Sequence, residues 1–381
     1  MSAVDDNDLN DGPLDGVRIV DLTRLLPGPM CSWYLRGLGA SVIKVEAPGL
    51  GDPLRAVPPY ADDGVGVWFR TIQAGVRSIQ LDLRSSSGRQ ALNHVLAQAD
   101  VLLEGFRPGA MARLGLDPAE LSARHPKLIV ASISGYGQTG PLREVAGHDI
   151  GYLGYTGVLA LTARREDGTP TLPPVPIADL AGGALTSALS VLAALYARDR
   201  PSGTQKGRWI DISMTDAALA LAAPNLAEAA NAEQDPTPGQ GILTGALPFY
   251  ELYRCKCGGL VAVAALEPPF QLAFQQAMGR PMPMTHDEMA ALFATDTRDA
   301  WASRLAAACV TPVLSPLEAL EAPLFTARGR IHGAGRDRRV APPFWGKMSF
   351  VSAPAPAAGT HTAEVLAEAG APASLISEVC R

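Results

Sequence analysis

A histidine and an aspartate stand side by side in the segment AGHDIGYLGYTG (146–157), in surroundings poor in charge. Histidine titrates near neutrality, so His148 can take up or release a proton, and a neighbouring carboxylate such as Asp149 can orient its ring. Alone, the pair is equally well a packed imidazole beside an acid. Two more carboxylates add to it. Asp179 in PIADLAGGALTSAL stands at the entrance of a strongly apolar helix read from about residue 180 to 198. There it can cap free amides. The amides of Leu180, Ala181 and Gly182 can equally hold a developing oxyanion beside it, and the paired glycines let a ligand come close to the backbone. Glu267 in AVAALEPPF ends an apolar strand just before two prolines, either as a solvated turn or as a functional acid. A base on one face of a carbon and an acid on the other can carry a proton across that carbon.

The elements that must position these groups alternate. GVRIVDLT, SVIKVEAPG, SIQLDL, DVLLEGF and KLIVASIS read as short buried strands. Between them PMCSWYLRGLGA, GRQALNHVLAQA and DPAELSARH read as helices. Strand–helix alternation predicts an α/β fold, a Rossmann-like parallel sheet covered on both faces, with ligands at the carboxyl ends of its strands. After about residue 200 the pattern changes. DPTPGQGILTGALP reads as a linker or long loop, FYELYRC and GLVAVAAL as a small sheet, and DEMAALFA and RDAWASRLAAAC as helices. The tail SAPAPAAGTHT is loose, and TAEVLAEAG reads as a helix.

Other features exclude function classes. GYGQTG (135–140) has the letters of a dinucleotide fingerprint, but Pro141 follows and no helix pattern opens inside it. The five cysteines are scattered and odd in number, which points to a reducing compartment, and the CKC spacing at 255–257 does not suit zinc. No metal site is expected. With a net charge of −6 and no basic cluster, the 381-residue chain offers no surface for nucleic acid or an acidic membrane. Its start is too acidic for a leader, and LTSALSVLAALYARDR meets charges before it reaches spanning length. The expectation is a soluble, cytoplasmic, two-domain protein.

Six motifs in order, LTRLLPGPMCSWYLRGLGASVIKVEAPG, LLEGFRPGAMARLGL, SISGYGQTGP, AGHDIGYL, PIADLAGG and ALEPPF, resemble the family III CoA-transferases of the CaiB/BaiF type. Within that superfamily they look most like the α-methylacyl-CoA racemases. The resemblance implies an interlocked homodimer whose active site lies where the large domain of one subunit meets the small domain of the other. It implies the division 1–13 disordered N-terminus, 14–210 large CoA-binding domain, 211–246 linker, 247–334 small α+β domain and 335–381 returning to the large domain. The bound partner is an acyl-CoA thioester, with no cofactor beyond the CoA that belongs to the substrate.

The residue roles carry over from the same likeness. Asp179 matches the superfamily aspartate, which is a nucleophile in the transferases and a proton carrier in the racemases. His148, with Asp149 beside it, matches the racemase histidine, and Glu267 the racemase glutamate. Arg77, Arg107, Arg113 and Tyr136 match positions that hold the nucleotide or pantetheine. The chain departs from the pattern at Val76 and Ala47, where the family has basic residues, and at Gly151 and Val175, where racemases carry Asn. Three readings follow: a racemase or epimerase of 2-methyl-branched acyl-CoA thioesters, a CoA-transferase working through an aspartyl-CoA thioester, and an acyl-CoA-binding protein without catalysis.

Overall fold

Six short segments, each four to six residues long, pair into one parallel sheet in the computed structural model, which describes residues 12–283, 285–344 and 349–381. They are β1 (Arg18–Asp21), β2 (Ser41–Glu46), β3 (Arg77–Gln80), β4 (Val101–Glu104), β5 (Ile129–Ser134) and β6 (Trp209–Ser213), in the order β3-β2-β1-β4-β5-β6. Val20 of β1 faces Ile43 of β2 and Leu102 of β4, and Leu102 faces Val130 of β5. Every residue of β4 and β5 is buried, because helices cover both faces of such a sheet. The crossovers are carried by α1 (Pro27–Gly37), α2 (Val67–Ile72), α3 (Ser86–Leu96), α4 (Ala110–Arg113) and α5 (Pro118–Arg124). Local chemistry starts several of these helices. Ser85 accepts from the Gly88 amide ahead of α3, and Asp117 followed by Pro118 opens α5. The strand order reverses between β1 and β4, so the loops at their carboxyl ends part there and leave a crevice.

Between β5 and β6 the chain forms α6 (Asp149–Tyr155) and a π-helix (Ala178–Leu185) that runs straight into α8 (Thr186–Asp199). The sequence pattern suggested no apolar run of spanning length. The continuous 22-residue helix over 178–199 nevertheless contains an 18-residue window with a mean hydropathy of 1.6, long and apolar enough by those two measures alone. It packs on α1, β5 and β6. After β6 comes α9 (Met214–Leu221), capped by the Ser213 hydroxyl. The chain's last part, with β10 (Ile331–His332), β11 (Arg339–Val340), α16 (Thr362–Glu368) and α17 (Ala373–Val379), belongs to the same unit. Val365, Leu366 and Leu375 complete its core beside Leu92, Leu96 and Leu102.

A second unit comprises residues 157–172 and 223–326. It holds α7 (Val158–Leu161), α10 (Ala223–Ala232), and an antiparallel sheet of β7 (Tyr250–Arg254), β8 (Leu260–Ala264) and β9 (Val310–Pro312). Its remaining helices are α11 (Pro268–Met278), α12 (His286–Phe293), α13 (Arg298–Arg304), α14 (Pro316–Glu321) and α15 (Pro323–Thr326). Phe274, Phe293, Trp301, Val261 and Val310 form its separate core.

The sequence reading needs three corrections here. β6 went unread because it is an edge strand, with Trp209 and Asp211 exposed and no continuous apolar run. The stretch 211–246, expected as a linker, carries the end of β6 and both α9 and α10. Residues 157–172, expected in the large domain, belong to the second unit. Of the N-terminal stretch 1–13 expected to be disordered, residues 1–11 lie outside the described part.

Candidate active site

Asp179 lies inside the first turn of a helix rather than at its cap, so the capping role read from the sequence is not the one it plays. Ile177 is already helical, and the Leu180 amide donates to the Pro176 carbonyl at 3.0 Å. That amide is therefore committed and is not available to an oxyanion. From Ala178 to Leu185 the helix is wound as a π-helix, and it closes with both the amide and the hydroxyl of Thr186 on the carbonyl of Ala181, five residues back. Such wide turns are rare and are often found at functional sites. The glycines in this turn permit close packing: a Cβ on Gly182 would lie 2.8 Å from the Met214 carbonyl oxygen, and one on Gly183 would lie 2.9 Å from Pro27 Cβ. The π-helix thereby seats between α1 and α9 with the Asp179 carboxyl half-buried.

The environment of that carboxyl disfavours its charge. Burial raises the Asp179 pKa to about 6, with the nearby Asp149 carboxylate adding to the rise and His148 opposing it. Asp149 does not hold the imidazole, as the sequence suggested; its Oδ1 accepts the Asp179 backbone N–H at 3.0 Å. His148 is the N-cap of α6 and exposes its ring, while its carbonyl accepts from the amides of Gly151 and Tyr152. Tyr152, a residue the sequence reading passed over, fixes the approach to this histidine. Its hydroxyl donates to the Gly147 carbonyl at 2.6 Å, and its ring fills the spaces beside Gly135 and Gly147 that a Cβ would occupy. Burial and the neighbouring Asp179 charge push the Tyr152 phenol up to about 12, so it stays a neutral donor.

His148, Asp179, Tyr152, Tyr136 and Arg107 line one cleft of about 440 Å³ at the carboxyl ends of β1, β4 and β5. The rings of Tyr136, Tyr152 and Tyr155 meet edge to face. Arg24 and Arg143 line the cleft too, and the sequence reading missed both. Among the described residues no carboxylate pairs with Arg24 or Arg107. The signal for Arg24 was its place just after the first strand, where the strand order later reverses. A second, largely apolar cavity of about 380 Å³ adjoins the first through Thr23, Arg24 and Phe106, and is lined further by Ala47, Pro48, Leu81, Leu83 and Arg84.

The other expected contacts lie elsewhere. Arg77 starts β3, far from the strand's carboxyl end, and its guanidinium pairs with Glu368 at 2.7 Å and with Glu364 at 3.7 Å. Arg113 is exposed on α4, its guanidinium close to Gly109, and lines neither cavity. Glu267 belongs to the second unit, where it is the N-cap of α11 at the end of the β8 turn and makes no side-chain capping bond. Gly151 has only the Tyr136 hydroxyl near its Cβ direction, at 3.8 Å, and Val175 is exposed. Among the described residues no cluster of three or more metal-ligating side chains occurs.

Residues 14–362 match the family described as CoA-transferase family III. The chain belongs to that family. It is 36% identical over 376 residues to the α-methylacyl-CoA racemase of Mus musculus, covering 94% of this chain and 93% of the mouse protein. It is 41% identical over 211 residues to the acetyl-CoA:oxalate CoA-transferase of Acetobacter aceti, covering 55% of this chain and 53% of that enzyme. A CaiB/BaiF family protein from Brucella suis has a similar fold, with a TM-score of 0.81 and 28% identity over 94% of this chain and all of the other. This member of family III therefore has relatives that are racemases and relatives that are transferases.

Proposed function

We propose that this chain is an acyl-CoA racemase or epimerase that moves the α-proton of a 2-methyl-branched thioester through an enolate. The observation that carries this reading is a half-buried carboxyl, Asp179, held at about 6 and opening into the same cleft as His148. A proton carrier works best when its pKa lies near the working pH. In one direction neutral His148 takes the α-proton, and the C–H electrons move toward the thioester oxygen. The neutral carboxyl of Asp179 then returns a proton to the opposite face, leaving imidazolium and carboxylate. The reverse reaction starts from those two states. Asp149 serves by holding the Asp179 backbone and by adding negative charge beside its carboxyl.

The cation-lined cleft suits the phosphates of CoA, with Arg107 and Arg24 free to meet them and Tyr136 beside the pantetheine arm. The adjoining apolar cavity suits the adenine ring. Arg84 lines it too, with its guanidinium paired to Asp82 at 3.0 Å. The proposal includes a homodimer in which the partner subunit's Glu267 orients His148, a cytoplasmic location, and no separate cofactor.

The second reading, a CoA-transferase with Asp179 as nucleophile, is favoured by the likeness to the Acetobacter aceti enzyme and by Gly151 and Val175 in place of Asn. One experiment separates the two. A 2-methylacyl-CoA is incubated with the protein in deuterated water, and the α-proton is followed by NMR. Racemisation requires exchange with loss of optical purity, abolished by His148→Ala. If no exchange occurs while a free acid gains CoA and hydroxylamine traps an acyl group on Asp179, the racemase reading fails. Binding of CoA esters with neither activity would leave a binding protein.

A further inference from the structure

The loop that joins β1 to α1 contributes Thr23 and Arg24 to both cavities and Leu25 and Pro27 to the larger one. Its backbone is strained: Leu25 has a φ of 65°, in the left-handed region where a leucine side chain is disfavoured. Such a conformation persists only where the surroundings impose it. Here they consist of a buried group of three charges. Lys44, Asp21 and Asp52 are 0%, 0% and 2% exposed, and the Lys44 ammonium lies 3.7 Å from Asp21 Oδ2 and 3.1 Å from Asp52 Oδ2. Among the described residues neither of those two oxygens accepts a hydrogen bond; both face the Lys44 ammonium, and Asp21 also feels the charge of the buried Arg36.

Each member of the group also grips the loop backbone. Asp21 Oδ1 accepts from the amide and the hydroxyl of Thr23, and the Lys44 ammonium donates to the Thr23 carbonyl. Asp52 Oδ1 accepts from the Leu25 amide at 3.2 Å and from the Leu54 amide at 2.9 Å, tying the loop after β1 to the one after β2. The second loop is anchored in turn, because Glu46 Oε2 accepts the Asp52 amide and binds Arg55. Thr23 sits in the space that a Cβ on Gly28 would need, which leaves the loop little room to slide.

We infer that Lys44 is a positioning residue for the ligand cleft: through Asp21 and Asp52 it holds the Thr23–Leu26 loop, left-handed at Leu25, in the form that shapes both cavities. Its affinity readout rests on the proposed CoA-binding role, and its exchange readout does not. Removing Lys44 frees the two carboxylates to repel, and the turn relaxes toward ordinary backbone angles. A ligand then binds only the fraction of molecules that still hold the turn.

The test is a double-mutant cycle of Lys44→Met and Leu25→Gly in the full chain, read by amide hydrogen exchange and by calorimetric binding of coenzyme A. Glycine adopts the left-handed turn without strain, so it removes the need for restraint. The expected result is faster exchange at Thr23 and Leu25 in Lys44→Met than in the rest of the sheet. Coenzyme A should bind about tenfold more weakly to Lys44→Met than to the wild type, and the same substitution should cost less than about threefold in the Leu25→Gly background. Equal losses in both backgrounds, or unchanged exchange in the loop, overturn the inference. If the wild type binds no coenzyme A, the CoA reading fails and the exchange data alone decide the role of Lys44. Should Lys44→Met not fold, Asp52→Asn keeps an acceptor for the amides while removing the charge facing Lys44. It is expected to speed exchange at Leu25, and unchanged exchange there counts equally against the inference.

Discussion

Asp179 carries the clearest chemical signature in the chain, and its consequences can be measured without knowing the substrate. Its folded pKa of about 6 lies above the usual carboxylate value of 3.8, so the folded state favours the protonated form. Stability from this group is present at low pH and is lost as the pH rises from about 4 through 6. Asp179→Asn removes that loss. It should stabilise the protein at pH 7.5 by about 3 kcal/mol relative to the wild type, a difference that should nearly vanish near pH 4 in thermal unfolding. An equal difference at both pH values would show that burial of the charge is not the cause. In the direction where Asp179 is the base, kcat/KM should fall as the pH drops through about 6. Asp149→Asn keeps an acceptor for the Asp179 amide but removes the neighbouring charge, so this acidic limb should move to lower pH. A limb that stays in place would assign it to another group.

At the scale of elements, the site depends on a π-helix that packs where side chains have no room. Gly182→Ala would press a methyl group against the Met214 carbonyl 2.8 Å away. It should cost roughly 1–3 kcal/mol of stability and lower kcat together with it, because the wide turn carries Asp179. Unchanged stability and rate would mean that the turn is not set by this close approach. The α6 entrance is the companion element. Tyr152→Phe loses the hydrogen bond to Gly147 while keeping the ring that fills the gaps beside Gly135 and Gly147. It should leave stability within about 1.5 kcal/mol of the wild type, the usual worth of one hydrogen bond, and reduce proton-exchange turnover by freeing His148 to wander. Proton exchange at the wild-type rate would remove Tyr152 from the positioning of His148.

For the whole molecule, the proposed homodimer makes a prediction about assembly. If the partner subunit's Glu267 serves His148, co-expressed His148→Ala and Glu267→Ala chains form mixed dimers with one intact site each. Random pairing should recover about a quarter of wild-type activity from two inactive variants. No recovery would mean that both residues serve one site within a single chain, and an active Glu267→Ala protein by itself would mean that Glu267 has no role there.

How much of this was legible beforehand differs between particular residues. The first five strands and the helices α1, α3 and α5 were readable because buried strands demand unbroken apolar segments and helices show their caps, while the short α2 and α4 went unread. The edge strand β6 was not, since exposure of Trp209 and Asp211 erases that pattern. His148, Asp179, Arg107 and Tyr136 were picked from the sequence and share the cleft, whereas Arg77 and Arg113 were picked and lie outside it.

The sequence by itself determined the α/β alternation, the residue types able to move a proton, and membership of a family recognisable from short motifs. Only the tertiary structure decided which charges meet. It turned Asp149 toward the Asp179 backbone rather than toward His148, drew Arg77 to Glu368, and enclosed Lys44 between two carboxylates. Periodicity and spacing report which face of an element is buried. A pKa or an ion pair depends on atoms that folding brings together from distant segments, and a linear pattern carries no record of those distances.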